Sequence, residues 1–177
     1  IVASGGYLPG NPVSNDELID NLSKHGVNTT NEWIIERSGI EFRHISNNQM
    51  TYELAIEAGK NAINSSNIKC SDIDLIIVAT TTPDRVFPSV ACHVQKSLGI
   101  KHCPAFDVQA VCSGFVYALS ISDMFIKSNN TKCALVIGSE RLSRIINWKD
   151  RSTCVLFGDG AGAVIVKKST EPGILNF

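Results

Sequence analysis

The chain is 177 residues long, carries a formal net charge of −1, and is 44% hydrophobic and 19% charged. That length lets one domain bury a core of its own, and the composition is globular, neither disordered nor fibrous. The near-neutral charge gives no global drive toward nucleic acid or an anionic membrane and leaves room only for a local basic patch.

The longest uncharged stretch near the middle, Val108 to Ser122, ends at Asp107 and Asp123. It is shorter than the roughly 20 residues of a spanning helix, so no membrane partner is expected. Ile1 to Pro9 has neither a basic leader nor a cleavage signature, which speaks against a signal peptide. The missing starting Met reads as a trimmed chain. Cys70, Cys92, Cys103, Cys112, Cys133 and Cys154 are spread through apolar segments, the pattern of reduced thiols in a cytoplasmic setting. N-x-[ST] triplets at Asn21, Asn28, Asn64 and Asn129 read as chance in a chain rich in Asn and Ser.

Ile1 to Ser4 predicts a short strand, broken by Gly5-Gly6 and Pro9-Gly10. Ser14, with Glu17 three positions later and the stripe Leu18, Ile19, Leu22, predicts a capped helix. Thr30 starts a second, which Gly39 ends. Thr51 precedes a stronger one, with Leu54, Ala55, Ala58, Ala62 and Ile63 at helical spacing. Leu75 to Thr80 is a continuous run rich in Ile and Val, as in a strand covered on both faces. A helix runs from Pro88-Ser89 to Leu98, stopped by Gly99, and Ala105 to Val108 is a second buried strand. Cys112 to Ile126 predicts a long apolar helix and Cys133 to Ile137 a third buried strand. Val155 to Phe157 and Ala163 to Val166 read as two last strands forming a hairpin. Alternating strands and helices define an α/β fold with a largely parallel sheet.

One cysteine has a distinctive setting. A strand ends, a short turn follows, and Cys112 opens a helix whose residues Phe115, Val116, Ala118, Leu119, Ile121, Met124, Phe125 and Ile126 are apolar nearly all the way round. Such a helix is normally buried, so its amino end points free N–H groups and partial positive charge into the interior or a closed pocket. That environment favours thiolate over thiol and can stabilise an oxyanion. Small Ser113 and Gly114 allow close approach. The bland alternative is an inert core cysteine. Cys92, His93, His102 and Cys103 match no usual zinc spacing, so no metal site is expected. Gly158 to Ala163 fits G-x-G-x-x-A, but the following Val164-Ile165-Val166 reads as strand where a dinucleotide loop must open a helix.

The stretch Pro104-Ala105-Phe106-Asp107-Val108-Gln109-Ala110-Val111-Cys112-Ser113-Gly114-Phe115 resembles the nucleophile segment of β-ketoacyl-acyl-carrier-protein synthase III. So do Thr29 to Ile34 with Arg37-Ser38-Gly39-Ile40, Ala79 to Pro83 with Phe87-Pro88-Ser89, and Asp150-Arg151 with Phe157 to Ala163. The resemblance covers essentially the whole chain. It implies a thiolase-like fold, of which residues 1–177 are the N-terminal βαβαβαββ half with a mixed, mostly parallel five-stranded sheet.

It further implies an enzyme, an acyltransferase that condenses acetyl-CoA with malonyl-acyl-carrier protein. Cys112 is then the nucleophile that takes the acetyl group. Trp33 and Arg151 sandwich the adenine of coenzyme A, Arg37 meets phosphate and Thr29 contacts the nucleotide. Leu142 and Phe157 line the acyl pocket, and Phe87 reaches across a homodimer into the partner's pocket. No cofactor is permanently bound, the coenzyme A thioester being a substrate. The compartment is the bacterial cytoplasm or a plastid-type organelle.

The family's catalytic His and Asn lie in a second half. His25, His44, His93 and His102 do not match that His, so this chain alone is expected to be inactive in condensation and to expose apolar surface. Two other readings stay open: a relative with another acyl primer or acceptor, and a non-catalytic module binding coenzyme A or a carrier protein. Lys96, Lys101, Arg141, Arg144 and Lys149 are available for an acidic carrier protein.

Overall fold

The computed structural model describes residues 1–171 and 173–175. The expected single half, 1–177, thus includes Pro172, Asn176 and Phe177, which lie outside the described residues. From the amino end run β1 (Ala3–Tyr7), β2 (Pro12–Ser14), α1 (Asn15–Ser23), α2 (Asn31–Ser38) and β3 (Phe42–His44). Next come α3 (Thr51–Asn64), β4 (Leu75–Ala79), α4 (Val90–Ser97), β5 (Ala105–Val108) and α5 (Gly114–Lys127). Then follow β6 (Cys133–Arg141), the short α6 (Arg151–Cys154) and β7 (Asp159–Lys167). The chain forms two compact units. One comprises residues 1–7, 50–140 and 161–177, the other 8–49 and 141–160.

The first unit is built on a five-stranded sheet of order β1-β7-β6-β4-β5. β4 pairs in parallel with β5 and β6, and β1 pairs antiparallel with β7, Gly6 opposite Gly162. With α3, α4 and α5 as the crossovers, the order is the expected βαβαβαββ. Side chains alternate across a strand. Ile76, Val78, Leu135 and Ile137 face one layer with Ala55, Ala58 and Ala62 of α3 and Ala91 and Val94 of α4. Leu75, Ile77, Ala134 and Val136 face the other, with Ala118 and Ile126 of α5. Both faces of β4 are covered, and all five of its residues are buried, which is why the run has no polar alternation.

Three sequence expectations change here. β1 runs through Gly5 and Gly6, which do not break it. A Cβ on Gly5 would stand 2.2 Å from the Ala62 amide nitrogen, so glycine there lets α3 press onto the strand. Val155 to Phe157 is not a strand. It follows α6 and forms no hairpin with β7, which lies between β1 and β6. The predicted helix from Cys112 begins at Gly114, preceded by a 3-10 turn over Val111–Ser113.

The second unit has its own small core of Leu18, Leu22, Val27, Ile34, Cys154 and Val155. The buried Val155 belongs to that core, which accounts for its apolar reading. β2 and β3 pair antiparallel. Ser14 and Glu17 form the expected capping box at α1, Thr30 caps α2 through the Trp33 amide, and Gly39 closes α2 at φ 70°.

Candidate active site

Cys112 lies on the 3-10 turn that joins β5 to α5, at the carboxyl end of the parallel strands, and is exposed. The turn is strained. Val111, a β-branched residue, takes φ 47°, a left-handed conformation that costs about 1–3 kcal/mol in such a side chain. Strain of that size, placed one residue before the thiol, fixes the direction in which the backbone presents Cys112. Gly114 brings the turn down on β4, where a Cβ would stand 3.3 Å from that of Ala79.

The amino end of α5 differs from those of its neighbours. At α4, Asp107 accepts from the Val90 and Ala91 amides and Ser89 from that of Cys92. Asp84 takes the Thr51 and Tyr52 amides of α3. No side chain caps α5. Its first amides continue the 3-10 turn, Ser113 donating to the Ala110 carbonyl and Gly114 to that of Val111, so what α5 offers an anion forming at Cys112 is the positive end of its dipole. A recess of about 390 Å³ opens along the sheet, lined by Phe115, Gly138 and Gly162 and by no residue of the Cys112 turn.

The other cysteines stand in different settings. Cys133 and Cys154 are buried, and burial pushes both thiols up, Cys133 to about 11. Cys103 is also raised by burial, against a bond from Gln95. His93 stacks on Tyr52 with ring centroids 4.4 Å apart. Among the described residues no three His, Cys, Asp or Glu side chains converge as a metal site would need.

In the second unit, Trp33, Arg37 and Arg151 come together. The Arg151 guanidinium lies 4.3 Å above the Trp33 ring centre and the Arg37 guanidinium 5.5 Å from it. Arg151 also donates to the Asn28 carbonyl at 3.4 Å. A flat ring held between them needs two contacts of about 3.5–4 Å each, so Arg151 now occupies the indole face itself. The Thr29 hydroxyl is buried with no hydrogen-bond partner among the described residues. Leu142 is half-buried in the turn after β6, and Phe157 is 36% exposed.

Phe87, in the sheet-bearing unit, is 83% exposed next to a fully exposed Val86. Of the basic residues, Lys96 and Lys101 are exposed in the first unit and Arg144 and Lys149 in the second.

Sequence reasoning passed over several carboxylates. Asp107 sits inside an apolar strand. Burial raises its carboxyl while the Ala91 and Val90 amides pull it back, and an acid inside such a run was the signal available. Asp159 is buried and accepts from the Ser46 and Ser143 amides and the Ser143 hydroxyl. Glu140 accepts from the Thr81 amide and the Thr82 hydroxyl.

A thiolase-like α/β fold with an exposed cysteine at an uncapped helix end defines the class, and comparison with known proteins narrows it. The family described as 3-oxoacyl-[acyl-carrier-protein (ACP)] synthase III matches residues 106–177. A β-ketoacyl-[acyl-carrier-protein] synthase III of Bordetella petrii is 56% identical over 99% of this chain and 54% of its own length. The crystal structure of the Aquifex aeolicus 3-oxoacyl-[acyl-carrier-protein] synthase III superposes with a TM-score of 0.90 at 48% identity, covering 97% of this chain and 54% of that one. The Thermus thermophilus synthase III superposes at 0.87 with 37% identity, covering 97% and 52%. The chain belongs to the β-ketoacyl-acyl-carrier-protein synthase III family, and it spans about half the length of the relatives it matches. No helix among the described residues is long and apolar enough to cross a membrane.

Proposed function

We propose that this chain is the N-terminal half of an acyltransferase that starts fatty acid synthesis by condensing acetyl-CoA with malonyl-acyl-carrier protein. The observation that carries the reading is Cys112, exposed on a strained turn at the one long helix of its unit, among the described residues, whose amino end no side chain caps. In the first step the Cys112 proton passes to a base and the sulfur bonds the acetyl carbonyl carbon. Negative charge collects on the carbonyl oxygen, where the Cys112 backbone N–H and the positive end of α5 meet it, and the coenzyme A thiolate then leaves and takes up a proton. In the second, the malonyl group loses CO₂, the resulting carbanion bonds the acetyl carbon, and the Cys112 thiolate departs.

The His and Asn that the family uses for decarboxylation lie in the second half, so these residues alone are inactive in condensation. That half also covers the apolar surface left on α5. Trp33, Arg37, Arg151 and Thr29 bind the nucleotide end of coenzyme A, and adenine enters by lifting Arg151 from the Trp33 ring. Leu142 and Phe157 line the acyl pocket, Phe87 reaches into that of a second copy, and the protein works as a cytoplasmic homodimer without a permanent cofactor.

The test uses the complete protein and acetyl-CoA. Mass spectrometry is expected to find one acetyl group on the peptide bearing Cys112 and none in Cys112→Ser, with acetoacetyl-carrier protein appearing only in the former once malonyl-carrier protein is added. Acetyl-CoA bound with no acetyl on Cys112 would instead favour a non-catalytic binding module.

A further inference from the structure

A buried polar network ties down the segment that carries Phe87. Thr51, Thr82 and Ser139 are each at most 1% exposed. The Glu140 carboxylate, at the end of β6, accepts from the Thr81 amide at 2.7 Å and from the Thr82 hydroxyl at 2.5 Å. The Thr51 hydroxyl donates to the Thr82 carbonyl at 2.6 Å, and the Ser139 hydroxyl to the Thr51 carbonyl at 2.8 Å. Asp84 then caps α3, and Asp107 caps α4 at Val90 and Ala91. The segment is therefore held at both ends by charged acceptors. Between them Arg85, Val86 and Phe87 stand exposed.

We infer that Glu140 is a positioning residue for this segment: it sets where Phe87 stands and thereby the length of acyl group the enzyme accepts. The inference rests on the reading that Phe87 lines an acyl pocket. A hydrogen bond to a charged group is strong, and stronger still away from water, so Glu140 holds residues 81–82 in one arrangement. The hydrogen bonds named above end at Thr81, Thr82 and Asp84 and do not involve Phe87. Control is exerted through the backbone, from an anchor five residues before it.

The experiment compares the complete protein with Glu140→Ala, Glu140→Gln and Thr82→Val, using three readouts: tryptic cleavage after Arg85, the ratio of kcat/KM for hexanoyl-CoA to that for acetyl-CoA, and alkylation of Cys112. Glu140→Ala is expected to speed cleavage about tenfold and raise the ratio about fivefold, while Cys112 alkylation changes by less than about twofold. Glu140→Gln, whose amide can still accept from Thr81 and donate to Thr82, is expected to restore most of both. Thr82→Val removes one bond and leaves the Thr81 anchor, so it tests the network even where Glu140→Ala fails to fold. Unchanged cleavage and ratio in both Glu140→Ala and Thr82→Val would overturn the inference, as would an equal fall for every primer. If the wild-type enzyme took no acyl group at all, the acyltransferase reading would fail, and cleavage after Arg85 would still judge the anchor.

Discussion

Helices α3 and α5 are each 14 residues long and lie on opposite faces of one sheet, yet they are built on opposite rules. α3 turns Ala55, Ala58 and Ala62 to the sheet, buries Leu54 as well, and carries its charges, Glu53, Glu57 and Lys60, away from those positions. Its apolar stripe and its buried face coincide. α5 is the more apolar of the two, but buries only Gly114, Ala118, Ser122 and Ile126, and leaves Val116, Tyr117 and Met124 at 48%, 54% and 57% exposed. All-round apolarity predicts burial only when something lies on both sides of a helix, and within these residues the sheet covers one side. The difference separates two kinds of apolar surface: one that stabilises this unit, and one reserved for contacts the unit does not itself supply.

The sharpest way to break this comparison is to cut equivalent side chains from both helices. Leu54→Ala removes a side chain that is 0% exposed and leaves a buried cavity, so it should cost about 2–5 kcal/mol. Val116→Ala, on the open face of α5, should stay within about 0.5 kcal/mol in this chain. Urea denaturation of both variants measures the two values, and a loss at Val116 as large as that at Leu54 would mean the outer face of α5 is covered after all. The second comparison is between thiols. At pH 8 only about one in a thousand thiols with a pKa near 11 is ionised, and Cys133 is buried besides. Iodoacetamide is therefore expected to label exposed Cys112 at least about a hundredfold faster than Cys133, with Cys154 also slow, as read by peptide mass spectrometry. Equal rates would remove the case for Cys112 as an accessible nucleophile.

Much of the sheet-bearing unit was legible because its signals are local. The Leu75 run, the Ser89 cap with Gly99 as the stop, and the Ala105–Val108 strand all lie within a few residues of where they were expected. The failures share a cause: each depended on a partner distant in sequence. Gly5 looks like a breaker until α3 is laid against it, and Val155 looks like strand until the core around Leu18 and Ile34 is assembled. In the candidate site, the small residues at Ser113 and Gly114 pointed to Cys112, but the left-handed Val111 left no mark in the sequence. Glu140 was equally silent, since its role comes from Thr81 and Thr82, about sixty positions earlier.

The buried side of the sheet also makes a smaller prediction, about pH. Cys133 opens β6 with its thiol pushed up to about 11, first by burial and then by the negative charge of Asp74, which accepts the Cys133 amide. A free thiol titrates near 8.5. Below that value both folded and unfolded chains hold the proton, and the group contributes no pH dependence. Between about pH 9 and 11 the unfolded chain releases its proton while the folded one keeps it, so the equilibrium shifts toward unfolding as pH rises. Above about 11 the loss is complete. Cys133→Ala lowers stability at every pH by removing a buried sulfur, but it also removes this titration. Urea midpoints measured from pH 8 to 11 should therefore fall less steeply in the variant than in the wild type. Parallel curves for Cys133→Ala and wild type would show that burial at β6 does not hold the proton on Cys133.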